Sequence, residues 1–206
     1  MYSRFFAGVL ACALAWMPAV CMGQAIVRVE EDWELRVVQP DPQIDAPQVT
    51  TCMLPFGSDS DILFQLDLNH ASTPSFSAGG LQLRICDEEA CYSSVRLLSG
   101  IKLNQPSETL SWTQVVQQTP SGFLFGIING SSASFGALAG PADVAYITAE
   151  QAGTTTLNAY DAQLSLENSE ITFASNRIGW LKLRHVRIYY ANGQMVHLPV
   201  NADIQL

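Results

Sequence analysis

The chain has 206 residues, 48% of them hydrophobic and only 14% charged, with 10 Lys and Arg against 19 Asp and Glu. A net charge of −9 repels phosphate backbones, so nucleic-acid binding through a general positive field is disfavoured. The length suits one ordinary domain with a sizeable core, and Ser, Thr, Gln and Asn supply much of the polarity, as on the solvated face of a sheet.

The N-terminus reads MYSRFFAGVLACALAWMPAVCMGQA. One cation, Arg4, precedes an apolar run from Phe5 to Val20, and small residues close the segment, the order of a secretory signal. Cleavage after Gly23 or after Ala25 fits, and the second is preferred, giving a signal peptide over 1–25 and one domain over 26–206. An uncleaved anchor is the rival reading, since Phe5 to Gly23 approaches the length of a span, but the Ala and Gly content and Pro18 suit cleavage better. Val20 before Cys21 disfavours a lipoprotein signal. No later apolar run approaches membrane length, so no span is expected in the processed chain. Without Arg4 the balance becomes 9 basic against 19 acidic residues, a net −10.

Beyond the signal, period-two patterning dominates. Trp33, Leu35 and Val37 face one way, with Glu34 and Arg36 opposite. Gln39-Pro40-Asp41-Pro42 breaks this strand. Val49 to Leu54 is strand-like. Asp61 to Leu68 alternates again, with Ile62, Phe64, Leu66 and Leu68 inward. Leu81, Leu83 and Ile85 alternate with Gln82, Arg84 and Cys86, and Cys91 to Leu98 returns across a hairpin. That hairpin brings Cys86 and Cys91 within disulfide reach in an oxidising compartment, leaving Cys52 as a buried small hydrophobe. Thr109 to Val116 centres on Trp112. Gly122 to Asn129 is apolar on both faces, as in a covered strand, and Asn129-Gly130, which also opens a glycosylation sequon, reads as a tight turn. Val144 to Thr148, Gln163 to Glu167 and Ile171 to Ala174 are short strand candidates. Trp180 to Tyr190 is the strongest strand, and Gln194 to Leu198 its hairpin partner. No segment of ten or more residues keeps a capped helical period. The reading is an all-β, two-sheet antiparallel β-sandwich.

Asn176 to Tyr189, NRIGWLKLRHVRIY, resembles the closing strand of laminin-G-like and concanavalin A-like sandwiches, where a glycine precedes a strand ending in a VRIY-type sequence. Leu124 to Gly136 is similar to an inner strand, tight turn and next strand of that architecture. The resemblance implies a jelly-roll, concanavalin A-like form. Over most of residues 31–190 the chain is also similar to a group of secreted, signal-peptide-bearing proteins of planctomycete-type bacteria, on Glu31-Asp32-Trp33-Glu34-Leu35, Asp67-Leu68-Asn69-His70, Gly79-Gly80-Leu81-Gln82-Leu83 and Asn176-Arg177. That likeness brings no activity with it. Sandwiches of this kind serve lectins, glycosidases, lyases and adhesion modules alike, so fold does not give function.

Candidate sites are few. Asp59 and Asp61, in Gly57-Ser58-Asp59-Ser60-Asp61, could begin to supply the oxygens that calcium wants, and a polar turn explains them equally. Asp67, Asn69 and His70 end a strand, where they could bind a sugar hydroxyl or a metal, or cap the strand. Lys182 and Arg184 share one parity, His185 and Arg187 the other; with Arg177 they suggest a patch for an acidic glycan or an outer strand paired with acids. Trp33, Trp112 and Trp180 could stack on sugar rings or pack the core. Asp87-Glu88-Glu89 reads as a solvated hairpin tip. The three histidines lack zinc spacing. The E-x-D-x-x-E strand motif of many sandwich glycosidases is missing, as are a nucleophile elbow, P-loop and dinucleotide fingerprint. The expectation is an exported, non-catalytic module binding a glycan or a cell-envelope protein, with no cofactor and calcium as the one candidate ion; the alternative is a carbohydrate-active enzyme. Ligand and oligomeric state stay open.

Overall fold

The computed structural model describes residues 24–58, 62–70, 79–87, 90–138, 145–150 and 156–204. Along the chain run β1 (Ile26–Val37), β2 (Gln48–Met53), β3 (Leu63–Leu68), β4 (Leu81–Cys86), β5 (Cys91–Leu97), β6 (Glu108–Thr119), β7 (Gly122–Ser132), β8 (Gly136–Leu138), β9 (Ala145–Glu150), α1 (Ala162–Asn168), β10 (Glu170–Phe173), β11 (Ile178–Tyr190) and β12 (Met195–Asp203).

Two antiparallel sheets result. The larger has the order β12-β11-β1-β6-β7, with β8 and β9 both paired to the far edge of β7; the smaller has the order β10-β2-β3-β4-β5. The chain enters at β1, crosses to run the smaller sheet as a meander, and returns as β6 beside β1. It later leaves β10 on the smaller sheet's edge and returns again as β11 on the other side of β1. The central strand of the larger sheet is therefore clasped by two returns from far along the sequence.

Alternation explains the packing. Trp33, Leu35 and Val37 of β1, Leu110, Trp112 and Val116 of β6, and Phe123, Phe125 and Ile127 of β7 are buried, as are Phe64, Leu66 and Leu68 of β3 and Leu81, Leu83 and Ile85 of β4. They form one core between the sheets. Phe64 and Phe125 stack across it with ring centres 5.1 Å apart, and Phe56 meets Phe123 edge-on at 4.7 Å. Stacking of this kind adds about 1 kcal/mol beyond the burial of the rings.

Two expectations are corrected. Residues 163–167 lie in helix α1 rather than a strand. Asp161 supplies the N-cap, accepting from the Gln163 amide at 2.9 Å. The helix is too short for a helical period to show, and Leu164 and Leu166 mimic a strand's alternation. Ser169 closes its end, donating to Ser165 O at 2.6 Å and accepting from the Cys52 amide of β2 at 2.9 Å. The second correction concerns Asn129-Gly130. These residues form no hairpin turn; β7 runs through them to Ser132 with an irregularity in its pairing to β6, and Asn129 has φ 55°. Gly130 is required by proximity, because a Cβ there would lie 2.2 Å from Leu138 Cβ. The chain reverses instead at residues 133–135.

The Cys86–Cys91 disulfide is formed, with Cα atoms 3.9 Å apart. Cys52 is free and buried. Burial first, then the charges of Asp67, Glu31 and Glu170, push its thiol up, which makes it unreactive. Among the described residues no helix is long and apolar enough to cross a membrane.

Candidate functional site

The outer face of the larger sheet carries a network of hydrogen-bonded polar side chains. Sequence parity puts Lys182 and Arg184 on one side and His185 and Arg187 on the other, but β11 is bulged. Asp32 pairs with His185 and Trp33 with Leu183, leaving Arg184 as the extra residue. The bulge resets the alternation, so Lys182, His185, Arg187 and Tyr189 all share the outward face with Arg28, Glu30, Asp32 and Glu34 of β1.

Arg187 is the hub. Its Nε donates to Glu30 Oε2 at 2.6 Å and its Nη2 to Asp32 Oδ1 at 2.6 Å, while Nη1 bonds Asp32 Oδ2. Arg28 Nε donates to Glu30 Oε1 at 2.8 Å, and Tyr189 Oη to Glu30 Oε2 at 3.0 Å. Thr113 of β6 donates to Asp32 Oδ1 at 2.7 Å. Burial pushes both carboxyls up, but the Arg187 hydrogen bonds, helped by Arg28 at Glu30 and Thr113 at Asp32, outweigh it and hold both below the ordinary carboxylate range. Burial, then the Glu30 charge, raises the Tyr189 hydroxyl. These acids are fixed as anions and cannot serve as proton donors near neutrality.

Aromatic rings flank the hub. Trp180, half-buried, donates from Nε1 to Glu34 Oε1 at 2.9 Å. Lys182 Nζ lies 4.9 Å and Arg36 Cζ 6.0 Å from its ring centre. Lys182 also meets Asp203 of β12 at 3.7 Å. Trp33 and Trp112 are cross-strand partners buried in the core, so of these three only Trp180 reaches the surface. Arg177 lies apart and pairs with Asp41 at 3.2 Å.

The residues singled out on β3 are arranged differently. Asp67 points to the outer face of the smaller sheet, yet is only 3% exposed. Its Oδ1 accepts from Thr50 Oγ1 at 2.9 Å, Gln65 Nε2 at 2.8 Å and Arg84 Nη2 at 3.0 Å, and Oδ2 faces Arg84 Nε at 2.7 Å. Thr50, Gln65 and Arg84 thus hold the Asp67 carboxylate in place. Asn69, at φ 57°, has left the strand and is fully buried. It donates to Pro47 O at 2.8 Å and accepts from the Leu103 amide at 3.3 Å, tying three segments together. His70 Nδ1 stands 3.9 Å from Asp67 Oδ2. Burial lowers its pKa; Asp67 works against that shift, and Arg84 and Arg96 add to it. Asp67 and His70 are thus brought together, and Asn69 is placed as a strand-end clamp. Asp59 and Asp61 lie outside the described residues.

The sequence reading passed over Glu31, a polar group inside the core. Glu31 has the inward parity of Trp33 and is fully buried. Trp33 Nε1 donates to its Oε2 at 2.9 Å and Tyr160 Oη to its Oε1 at 2.8 Å. Ser165 of α1 lies beside the carboxyl, its Oγ otherwise without a hydrogen-bond partner among the described residues. Burial pushes the Glu31 carboxyl up to about 7, against the pull of Ser165, Tyr160 and Trp33. The parity signal was present in the sequence; the partnership with Tyr160 and Ser165, more than a hundred residues away, was not.

Comparison with protein-family models, with curated proteins and with solved structures gives no match.

Proposed function

We propose that this chain is an exported, non-catalytic binding module that holds a glycan of the cell envelope across the outer face of its larger sheet. The observation that carries the reading is the Arg187–Glu30–Asp32 hub with the half-buried Trp180 and Tyr189 rings on either side. Sugar recognition uses an aromatic face beside hydrogen-bonding groups already fixed in place. A glycosidase would need one of two facing carboxyls to remain protonated; both acids here are held ionised by Arg187. Export rests on the signal-like N-terminus. The jelly-roll, concanavalin A-like form and kinship with the secreted planctomycete-type proteins belong to the same proposal, supported by the Asn176 to Tyr189 stretch.

A glycan array followed by calorimetry tests it. Binding is expected, weakened about tenfold or more by Trp180→Ala, as for removal of an aromatic anchor. An array that stays flat with and without added calcium would remove the proposal.

A further inference from the structure

We propose that His185 and His197 form a two-imidazole site for a divalent transition-metal ion at the β12 edge of the larger sheet. This inference is independent of the glycan reading. The two residues are 12 apart in sequence and show no metal-binding spacing there. The β11–β12 hairpin and the bulge at Arg184 bring them together: Arg187 pairs with His197 and His185 with Pro199, which makes the two histidines diagonal neighbours on one face. Their ring centres are 4.9 Å apart, with planes inclined at 56°.

That spacing suits a shared ion. A metal held by one nitrogen of each ring at about 2.05 Å lies about 3.2 Å from each ring centre, so bond angles from square-planar to tetrahedral put the centres about 4.5–5.2 Å apart. The His185 side chain is 38% exposed, and His197 is exposed on the edge strand. Both side chains stand on paired strands, so little backbone order has to be created when an ion binds.

The surrounding charge does not oppose a cation. Glu30 and Asp32 carry two negative charges, and Arg28 and Arg187 two positive ones, all engaged with one another. Asp32 Oδ2 faces His185 Nδ1 at 3.8 Å, too far for a hydrogen bond but near enough to favour positive charge on that side. Among the described residues no group of three or more His, Cys, Asp or Glu is arranged to hold a metal. The remaining coordination positions would therefore go to solvent, giving an open, exchangeable site of the kind imidazoles make with copper, nickel or zinc.

The test uses untagged protein titrated calorimetrically with Cu²⁺, Ni²⁺ and Zn²⁺. One saturable site is expected, tightest for Cu²⁺. His185→Gln and His197→Gln should each weaken it by about tenfold or more, since losing a ligand costs no less than losing an outer-shell partner. Both variants should retain the far-UV circular dichroism of the parent. Zn²⁺ should move the imidazole NMR signals of His185 and His197 and leave those of His70 in place. Absence of saturable binding, undiminished binding in both variants, or a response at His70 alone would overturn the proposal.

Discussion

Replacing Glu31 by Gln probes a fully buried carboxyl inside the core. In the folded chain this carboxyl titrates at about 7, against 4.5 ordinarily, because burial disfavours its charge. The folded state thus binds a proton more tightly than the unfolded state. The stability linked to that proton is fully present below about pH 4.5 and is lost as pH rises through 7. A shift from 4.5 to about 7 corresponds to about 3 kcal/mol. Gln fits the same space: its oxygen accepts from Trp33 Nε1, and its amide can donate to the Tyr160 oxygen, whose hydroxyl hydrogen is free to turn toward Ser165. Near pH 4.5 the variant should match the parent or fall about 1 kcal/mol below it. From there to pH 8 its relative stability should climb by about 3 kcal/mol, or about 6–12 °C in Tm for a chain of this size. Urea unfolding of both proteins at several pH values in that range gives the difference directly, with contributions of other titrating groups cancelling. A difference that stays constant across the range would refute the assignment of Glu31 as a buried carboxyl charged at a cost.

Two further outcomes are expected. Phe125→Ala opens a cavity beneath the stacked Phe64 ring and should cost about 3–5 kcal/mol in chemical denaturation; a loss under 1 kcal/mol would mean that the sheets do not pack through this pair. Asn69→Ala leaves the Pro47 carbonyl and the Leu103 amide without their partner and should cost about 2–3 kcal/mol, while glycan affinity, if located on the opposite sheet, stays unchanged in the same calorimetric assay.

Much of the architecture follows from local pattern. The parity of Trp33, Leu35 and Val37, of Phe64, Leu66 and Leu68, and of Leu81, Leu83 and Ile85 marks the same inward faces in sequence and structure, because a strand's side chains alternate whatever its neighbours are. The Cys86–Cys91 pairing is similarly local. Departures arise where a few residues suit two geometries. The stretch around Leu164 and Leu166 alternates as well as it coils, and Asp161 and Ser169, with the packing against β2, settle it as helix. Asn129-Gly130 has turn chemistry, but Leu138 lies so close that the pair is used for a bulge. The candidate surface was the least legible part. One extra residue at Arg184 moves His185 and Arg187 onto the face of Lys182, and no alternation count foresees a bulge.

The amino-acid sequence by itself determined most of the segments that extend, the apolar side of the strands without a bulge, and which two cysteines join, since all three depend on residues a few positions apart. Only the tertiary structure decided that Arg187 meets Glu30 and Asp32, that Tyr160 reaches Glu31, and that His185 lies beside His197. Those contacts depend on strand order and register, which are fixed by the collective burial of both sheets rather than by any short stretch of chain.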